Sequence, residues 1–244
     1  MNILIVSAHP NPTSYNAQLV EVATRTLQQG GDSVVVSDLY AEGFKPAEGP
    51  EHFDVRVDPE RFEVQREQRA AFEAGTLPAD VRRELDRLRE ADLVIFQFPF
   101  WWFGVPAMIK GWMDRVFVYG GMYTSEKLYA KGVCRGKRAI LSATLGSPES
   151  HCHSNGQQGD PRLHLWSAMY ALHAVGFKVL DPILLHGIHG AYDPSAAQEL
   201  REHLSAQEHT YVESLQTLST RPSVQFNVHS SEGIVRDQRR AKTA

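Results

Sequence analysis

Five short stretches of this chain read as strands buried on both faces, and that property narrows the architecture more than any other. A strand with one face in water shows alternation, whereas a strand covered on both sides shows a run of apolar residues. The stretches are Ile3 to Ala8, Ser33 to Val36, Leu93 to Phe98, Lys137 to Thr144 and Gly176 to Leu184. Between the first two, Ser14 to Gln29 spaces Leu19, Val20, Ala23 and Leu27 at helical intervals before Gly30-Gly31, with Ser14 as its cap. Asp80 to Glu90 is a charged helical stretch ahead of the third. Strands alternating with helices predict an α/β chain: a doubly wound five-stranded parallel sheet with helices on both sides. Such sheets bind ligands at the carboxyl ends of their strands near the switch point. The loops beginning at His9, Pro99 and Thr144 should therefore converge on one site.

At 244 residues the chain suits one large domain, residues 1–218, followed by a polar tail, residues 219–244. The tail carries five Lys or Arg against two acids, and it is read either as disordered or as wrapping a partner subunit. Residues 41–66, rich in Pro and acids, form an insertion or long connection. A net charge of -4 offers no polycation, so nucleic acid is not an expected partner. The apolar stretch Leu93 to Ile109 is interrupted by Gln97, Pro99, Gly104 and Pro106, which argues against an integral membrane segment. It reads instead as strand, loop and a helix through Arg115 with Pro106 at its first position. Only Cys134 and Cys152 occur, without CxxC spacing, and no basic residue precedes the first apolar run. A disulfide framework and a secretory signal are thus not expected, and the cytoplasm is.

Neither a GxGxxG after the first strand nor a Walker phosphate loop is present. In their place stands a loop of hydroxyls and amides, His9 to Asn16, including Thr13, Ser14 and Tyr15. Backbone N–H groups at a helix start, joined by short polar side chains, make a cradle for phosphate or pyrophosphate; the alternative is a plain capped turn. Pro99, Phe100, Trp101, Trp102 and Phe103 follow the third strand. Aromatics in a loop at the binding edge make a wall for a planar ring system, the alternative being core packing. Thr144, Leu145, Gly146 and Ser147 leave the fourth strand as small-residue backbone suited to a ligand edge. His151 and His153 beside Ser150 and Cys152 raise a metal or a nucleophile, but no ligand spacing or matching acid supports either, and no metal is expected.

Taken together these loops resemble the NAD(P)H:quinone oxidoreductases of the DT-diaphorase type. The likeness is carried by ADLVIFQFPFWWFGVPAMIKGWMDRVF from Ala91 to Phe117, with SAHPNPTSYN, SDLYAEGFKP, LSATLG and GFKVLDP, and runs from about Asn2 to about His189. The resemblance implies a flavodoxin-like fold, a homodimer, and FAD along the carboxyl edge of the sheet, with FMN as the alternative cofactor. It implies transfer of hydride from NADH or NADPH to flavin N5 and then, in a two-electron ping-pong cycle, to a quinone. By position, His9, Thr13, Ser14, Tyr15 and Asn16 fall on the pyrophosphate and adenosine side, and Phe100, Trp101, Trp102 and Phe103 on the isoalloxazine wall. Thr144 to Ser147 fall on the ring edge, and Met122, Tyr123 and Thr124 where the family dimer closes the partner's substrate pocket.

The chain departs from the family in places. Cys152 and Gln158 stand where a Tyr and a His support the flavin, so charge stabilisation passes to Gln158 or to His151 or His153. Glu63 replaces a flavin-contacting Gln, and Met169 before His173, with no Cys after Cys152, lacks the structural metal set of one branch. The rival readings are reduction of azo- or nitro-aromatics and a flavin-bearing ancillary subunit of a potassium efflux system.

Overall fold

The structure, a computed structural model, describes residues 1–189 and 197–226. The greater part of the expected basic tail, residues 227–244, lies outside the described residues. Strands β1 (Asn2–Ser7), β2 (Ser33–Asp38), β3 (Leu93–Pro99), β4 (Arg138–Thr144), β5 (Lys178–Val179) and β6 (Ile183–Leu185) are joined through helices α1 (Tyr15–Gln29), α2 (Val64–Ala74), α3 (Ala79–Glu90), α4 (Ala107–Val116), α5 (Pro161–His164) and α6 (Trp166–Ala174), and α7 (Ala197–Gln216) follows β6. All strand pairs are parallel, in the order β2-β1-β3-β4-β5, with β6 also on β4.

The expected fifth strand, Gly176 to Leu184, is two short strands rather than one. Pro182 lies between them and has no N–H to give to a ladder, so β5 pairs with Arg138–Ala139 and β6 resumes on Ser142–Thr144. Pro106 is the cap residue of α4 rather than its first helical residue. The 41–66 connection ends earlier than expected, because α2 begins at Val64, and it contains one short 3-10 turn, Pro50–His52.

Consecutive residues of β1 explain the unbroken apolar runs. Ile3 and Ile5 face one core with α1 and α7, while Leu4 and Val6 face the other with α3, α4 and α6. Each fully buried Leu or Ile on such a strand contributes about 1.5 to 3 kcal/mol of transfer free energy. The second core encloses a charge: Glu84, with no exposed surface, accepts from Trp112 Nε1 at 2.8 Å, Ser37 Oγ at 3.1 Å and Arg87 at 2.8 Å. Three donors satisfy the carboxylate, so the arrangement ties α3 to α4 and β2 rather than leaving an uncompensated charge.

Past α7 the chain returns to the sheet. Val224 N–H donates to Val179 at 2.9 Å, Leu180 bridges Ser223, and Phe226 stacks on His173 with centroids 4.3 Å apart.

Candidate flavin-binding site

The switch point lies between β1 and β3, which leave the sheet toward opposite sides, and the loops that follow them meet there. The backbone holds them in register: Ala8 N–H donates to Gln97, Phe100 N–H to Thr144 and Leu145 N–H to Leu185, at 3.1, 2.8 and 2.8 Å. Beneath them runs a buried polar chain. Tyr211 on α7 donates its hydroxyl to Gln97 Oε1 (3.1 Å), Gln97 Nε2 donates to Asn16 Oδ1 (2.9 Å), and Asn16 Nδ2 donates to Thr144 Oγ1 (2.8 Å). Each side-chain amide both donates and accepts, so α7 and the start of α1 are tied to the ends of β3 and β4 without an orphaned amide.

After β1, His9 accepts from Asn11 N–H at 3.1 Å through Nδ1 and lies 5.9 Å from the Trp101 ring. Thr13 gives both its N–H and its hydroxyl to Asn11 Oδ1 at 2.9 Å, and Ser14 Oγ caps α1 by accepting from Ala17 N–H. The polar loop is therefore also a capped turn, and its two readings coexist. Tyr15 turns away: its hydroxyl donates to Leu204 at 2.7 Å, and burial, with Glu208 next, pushes the phenol well above its usual range.

After β3 comes a two-residue turn, Trp101 bridging Gly104, in which Trp102 and Phe103 take φ of 48° and 61°. Positive φ at both central positions is the type I′ requirement normally met by Asn-Gly. Trp102 is 96% exposed, Phe103 47% and Trp101 43%, while Phe100 packs against the core. Core packing is thus excluded for Trp102. The turn thus combines backbone strain with a presented aromatic surface.

Across from this turn, Leu145, Gly146, Ser147, Cys152, Gln158 and Pro161 complete a cavity of about 150 Å³ with Phe100, Trp102 and Phe103. A Cβ on Gly146 would meet only the Ile188 carbonyl, at 3.8 Å, so the approach to this backbone is open. The loop is closed by Gln158 N–H donating to the His151 carbonyl at 3.0 Å. Burial and then Glu149 raise the Cys152 thiol above its usual range, which keeps it protonated.

Of the expected catalytic residues, Cys152 and Gln158 line the cavity. His153 is exposed outside the lining, where its Nδ1 accepts from Asn155 N–H at 3.3 Å. Met122 is 2% exposed and belongs to the core, while Tyr123 and Thr124 are half-buried, with Tyr123 hydroxyl accepting from Gln65 Nε2 at 3.3 Å. Two residues at the site went unnoticed in the sequence: Pro161, which lines the cavity, and His164. His164 lies 5.1 Å from the Phe103 ring and 6.1 Å from Phe100, with Nε2 bonded to the Gln158 carbonyl at 3.0 Å. A lone His after Pro161 carries no local signal, because its aromatic partners come from the turn after β3, about sixty residues upstream, and Gln158 meets it only through a backbone carbonyl.

Comparison with known proteins agrees with this fold. The family model for the flavodoxin-like fold matches residues 1–208. The NAD(P)H dehydrogenase [quinone] 1 of Cavia porcellus is 42% identical over 81% of this chain and 72% of its own length. The human ribosyldihydronicotinamide dehydrogenase [quinone] is 42% identical over 74% of this chain and 79% of its own. A candidate quinone reductase structure from Klebsiella pneumoniae superposes with a TM-score of 0.82 at 33% identity, covering 93% of this chain and 88% of that one. The chain belongs to the flavodoxin-like family, among its NAD(P)H and ribosyldihydronicotinamide quinone dehydrogenases.

Proposed function

We propose that this protein is a flavin-dependent NAD(P)H:quinone oxidoreductase. The observation that carries the reading is the cavity in which the strained Phe100 to Phe103 turn faces the Leu145 to Ser147 backbone at the carboxyl ends of β3 and β4. A flat ring stacked on that turn would present one edge to the amides of Gly146 and Ser147 and its open face to solvent. The flavin, when bound, supplies two-electron exchange between a nicotinamide and a quinone. The chain supplies position and electrostatics. The Gly146 and Ser147 amides and the Gln158 side chain, which line the cavity, would be the donors to a bound ring. Cys152 fills the lining as a neutral thiol, and His153 holds the turn between Cys152 and Gln158 through Asn155.

FAD rather than FMN is favoured by the His9 to Asn16 loop and by a second cavity of about 350 Å³ lined by Pro148, Gly187, His189, Glu199, Leu200 and His203. It opens beside β6, and the neighbouring Leu204 holds Tyr15, so it has room for a group beyond a single phosphate. A homodimer is supported by a cavity of about 340 Å³ between α4 and α6, lined by Val105, Met113, Phe117, Ala168, Ala171 and Val175 among others, an apolar surface suited to burial. In that dimer Tyr123 and Thr124 would approach the partner's substrate. Residues 1–218 form the catalytic unit and 219–244 the tail, whose first residues lie along β5. Among the described residues no helix is long and apolar enough to cross a membrane; the cytoplasm is the proposed compartment.

The deciding experiment is the visible spectrum of the purified protein, mass spectrometry of the released cofactor, and benzoquinone turnover with NADH, NADPH and ribosyldihydronicotinamide as donors. Protein that stays colourless and binds no added flavin ends the reading. Flavin without quinone turnover favours the ancillary-subunit alternative, and turnover confined to azo or nitro aromatics favours the other.

A further inference from the structure

We infer that His164 is a positioning residue for the flavin cavity, a clamp that sets the separation between the aromatic turn and the loop carrying Gln158. The inference rests on the flavin reading above and deepens it. Its imidazole touches both walls. On one side its ring meets Phe103 at 5.1 Å and Phe100 at 6.1 Å, and on the other Nε2 lies 3.0 Å from the Gln158 carbonyl. A carbonyl only accepts, so Nε2 carries the proton and donates, a bond no apolar side chain can replace.

Two further features show that the chain is built around this contact. Gly159, at φ +68°, brings the backbone so near that a Cβ there would lie 2.8 Å from His164 Nε2. That φ favours glycine, and a side chain there would press on the imidazole. The ring is also delivered on a stiff turn: Asp160 Oδ1 caps Arg162 N–H at 2.9 Å, Pro161 opens α5, and Arg162 is paired with Asp181 at 3.2 Å. The opposing wall, by contrast, is a two-residue turn held against its backbone preference at Trp102 and Phe103. Phe103 leans on Phe100, at 6.4 Å and 88°, and on His164. Removing the imidazole would release both walls at once.

The test uses His164→Leu, which keeps bulk and loses the donor, His164→Gln, which keeps a terminal N–H, and Gly159→Ala, which crowds the bond and leaves the histidine in place. Apoprotein is titrated with FAD and FMN by fluorescence quenching, holoenzyme is assayed with benzoquinone, and apoprotein melting is followed in parallel. His164→Leu should weaken flavin binding by about 10-fold and raise KM for quinone with kcat within about twofold, the range for one hydrogen bond and its ordering. His164→Gln should recover most of the loss, and Gly159→Ala should reproduce it. Lowered melting temperature with unchanged flavin affinity and KM would show a merely structural histidine and overturn the inference. So would a Gln variant no better than Leu. If the Leu variant does not fold, the Gln and Gly159→Ala pair decides by the same criterion. Unaltered protein that binds no flavin would instead bring down the flavin reading, and the clamp with it.

Discussion

Replacing Trp102 with Asn should make the apoprotein more stable while weakening what it binds. Trp102 holds φ at 48°, in a region that costs an ordinary L-residue about 1 to 2 kcal/mol and that Asn tolerates best after Gly. Its side chain is 96% exposed, so its removal forfeits almost no buried surface to offset that relief. The expected gain is about 1 kcal/mol, which for a chain of this size raises Tm by about 2 to 4 °C. Trp102→Ala lacks the short polar side chain by which Asn hydrogen-bonds locally in this region, so the strain stays, and it should leave stability within about 0.5 kcal/mol. Both variants lose the stacking surface, worth about 0.5 to 1.5 kcal/mol beyond area, so flavin or quinone binding should fall about 2- to 12-fold. Urea denaturation of the apoproteins and fluorescence titration with flavin measure the two effects. If Trp102→Asn loses more than about 1 kcal/mol with binding unchanged, the ring is packed rather than presented, and the reasoning fails.

Asn16→Leu should destabilise the fold by about 2 to 5 kcal/mol, since it strands the buried Gln97 amide and the buried Thr144 hydroxyl; a loss under about 0.5 kcal/mol on denaturation would refute the chain of bonds. Burial pushes the Cys134 thiol up to about 12, and Cys152 is raised less, so a thiol reagent at pH 8 should label Cys152 slowly and Cys134 only after unfolding, as peptide mapping would show. The Glu67 carboxyl is raised by burial, but the Val57 N–H and Arg56 bonds outweigh this and hold it below its usual range. Its folded value being depressed, its contribution to stability is present above the unfolded value of about 4.3 and is lost as pH falls through the folded one. Glu67→Gln should flatten that part of the acid limb of a stability–pH curve. Gln158→Leu should lower kcat/KM for quinone by about 10-fold or more with flavin still bound, the loss of one preorganised donor; an unchanged value would remove Gln158 from the reaction.

Strands β1, β3 and β4 were legible because burial on both faces makes each an apolar run, and the switch point then pointed to the site. Contrary to expectation β2, an edge strand with Val35 44% exposed, is not buried on both faces, and it was legible only from its run of valines. The break at Pro182 was visible but hidden by the apolar residues on either side, GFKVLDPILL. Helix α2 could not be read from apolar spacing, since its buried face is Glu67, Gln68 and Ala71, whose polar groups find partners only in the fold. Helix α7 buries only Tyr211 and Leu215, too sparse a stripe for a period. The aromatic turn was legible as a surface, but not its strain, which depends on φ. His164 was invisible because its meaning lies in neighbours from two loops.

The strand order has a consequence for how the chain is made. Ile3 pairs with Leu93, so β1 must wait about ninety residues for its inner neighbour, and such long-range parallel pairing forms slowly. From β3 onward each new strand joins the edge left by the one before it: β4 on β3, then β5 and β6 on β4. The sheet can therefore grow during synthesis in the direction of translation, presenting one growing edge opposite the fixed β2 edge. That edge is most apolar after β3 emerges and before β4 covers it, so a pause in translation between residues 99 and 138 should expose Leu93 to Phe98 longest. This interval is when aggregation or chaperone capture of the nascent chain should peak.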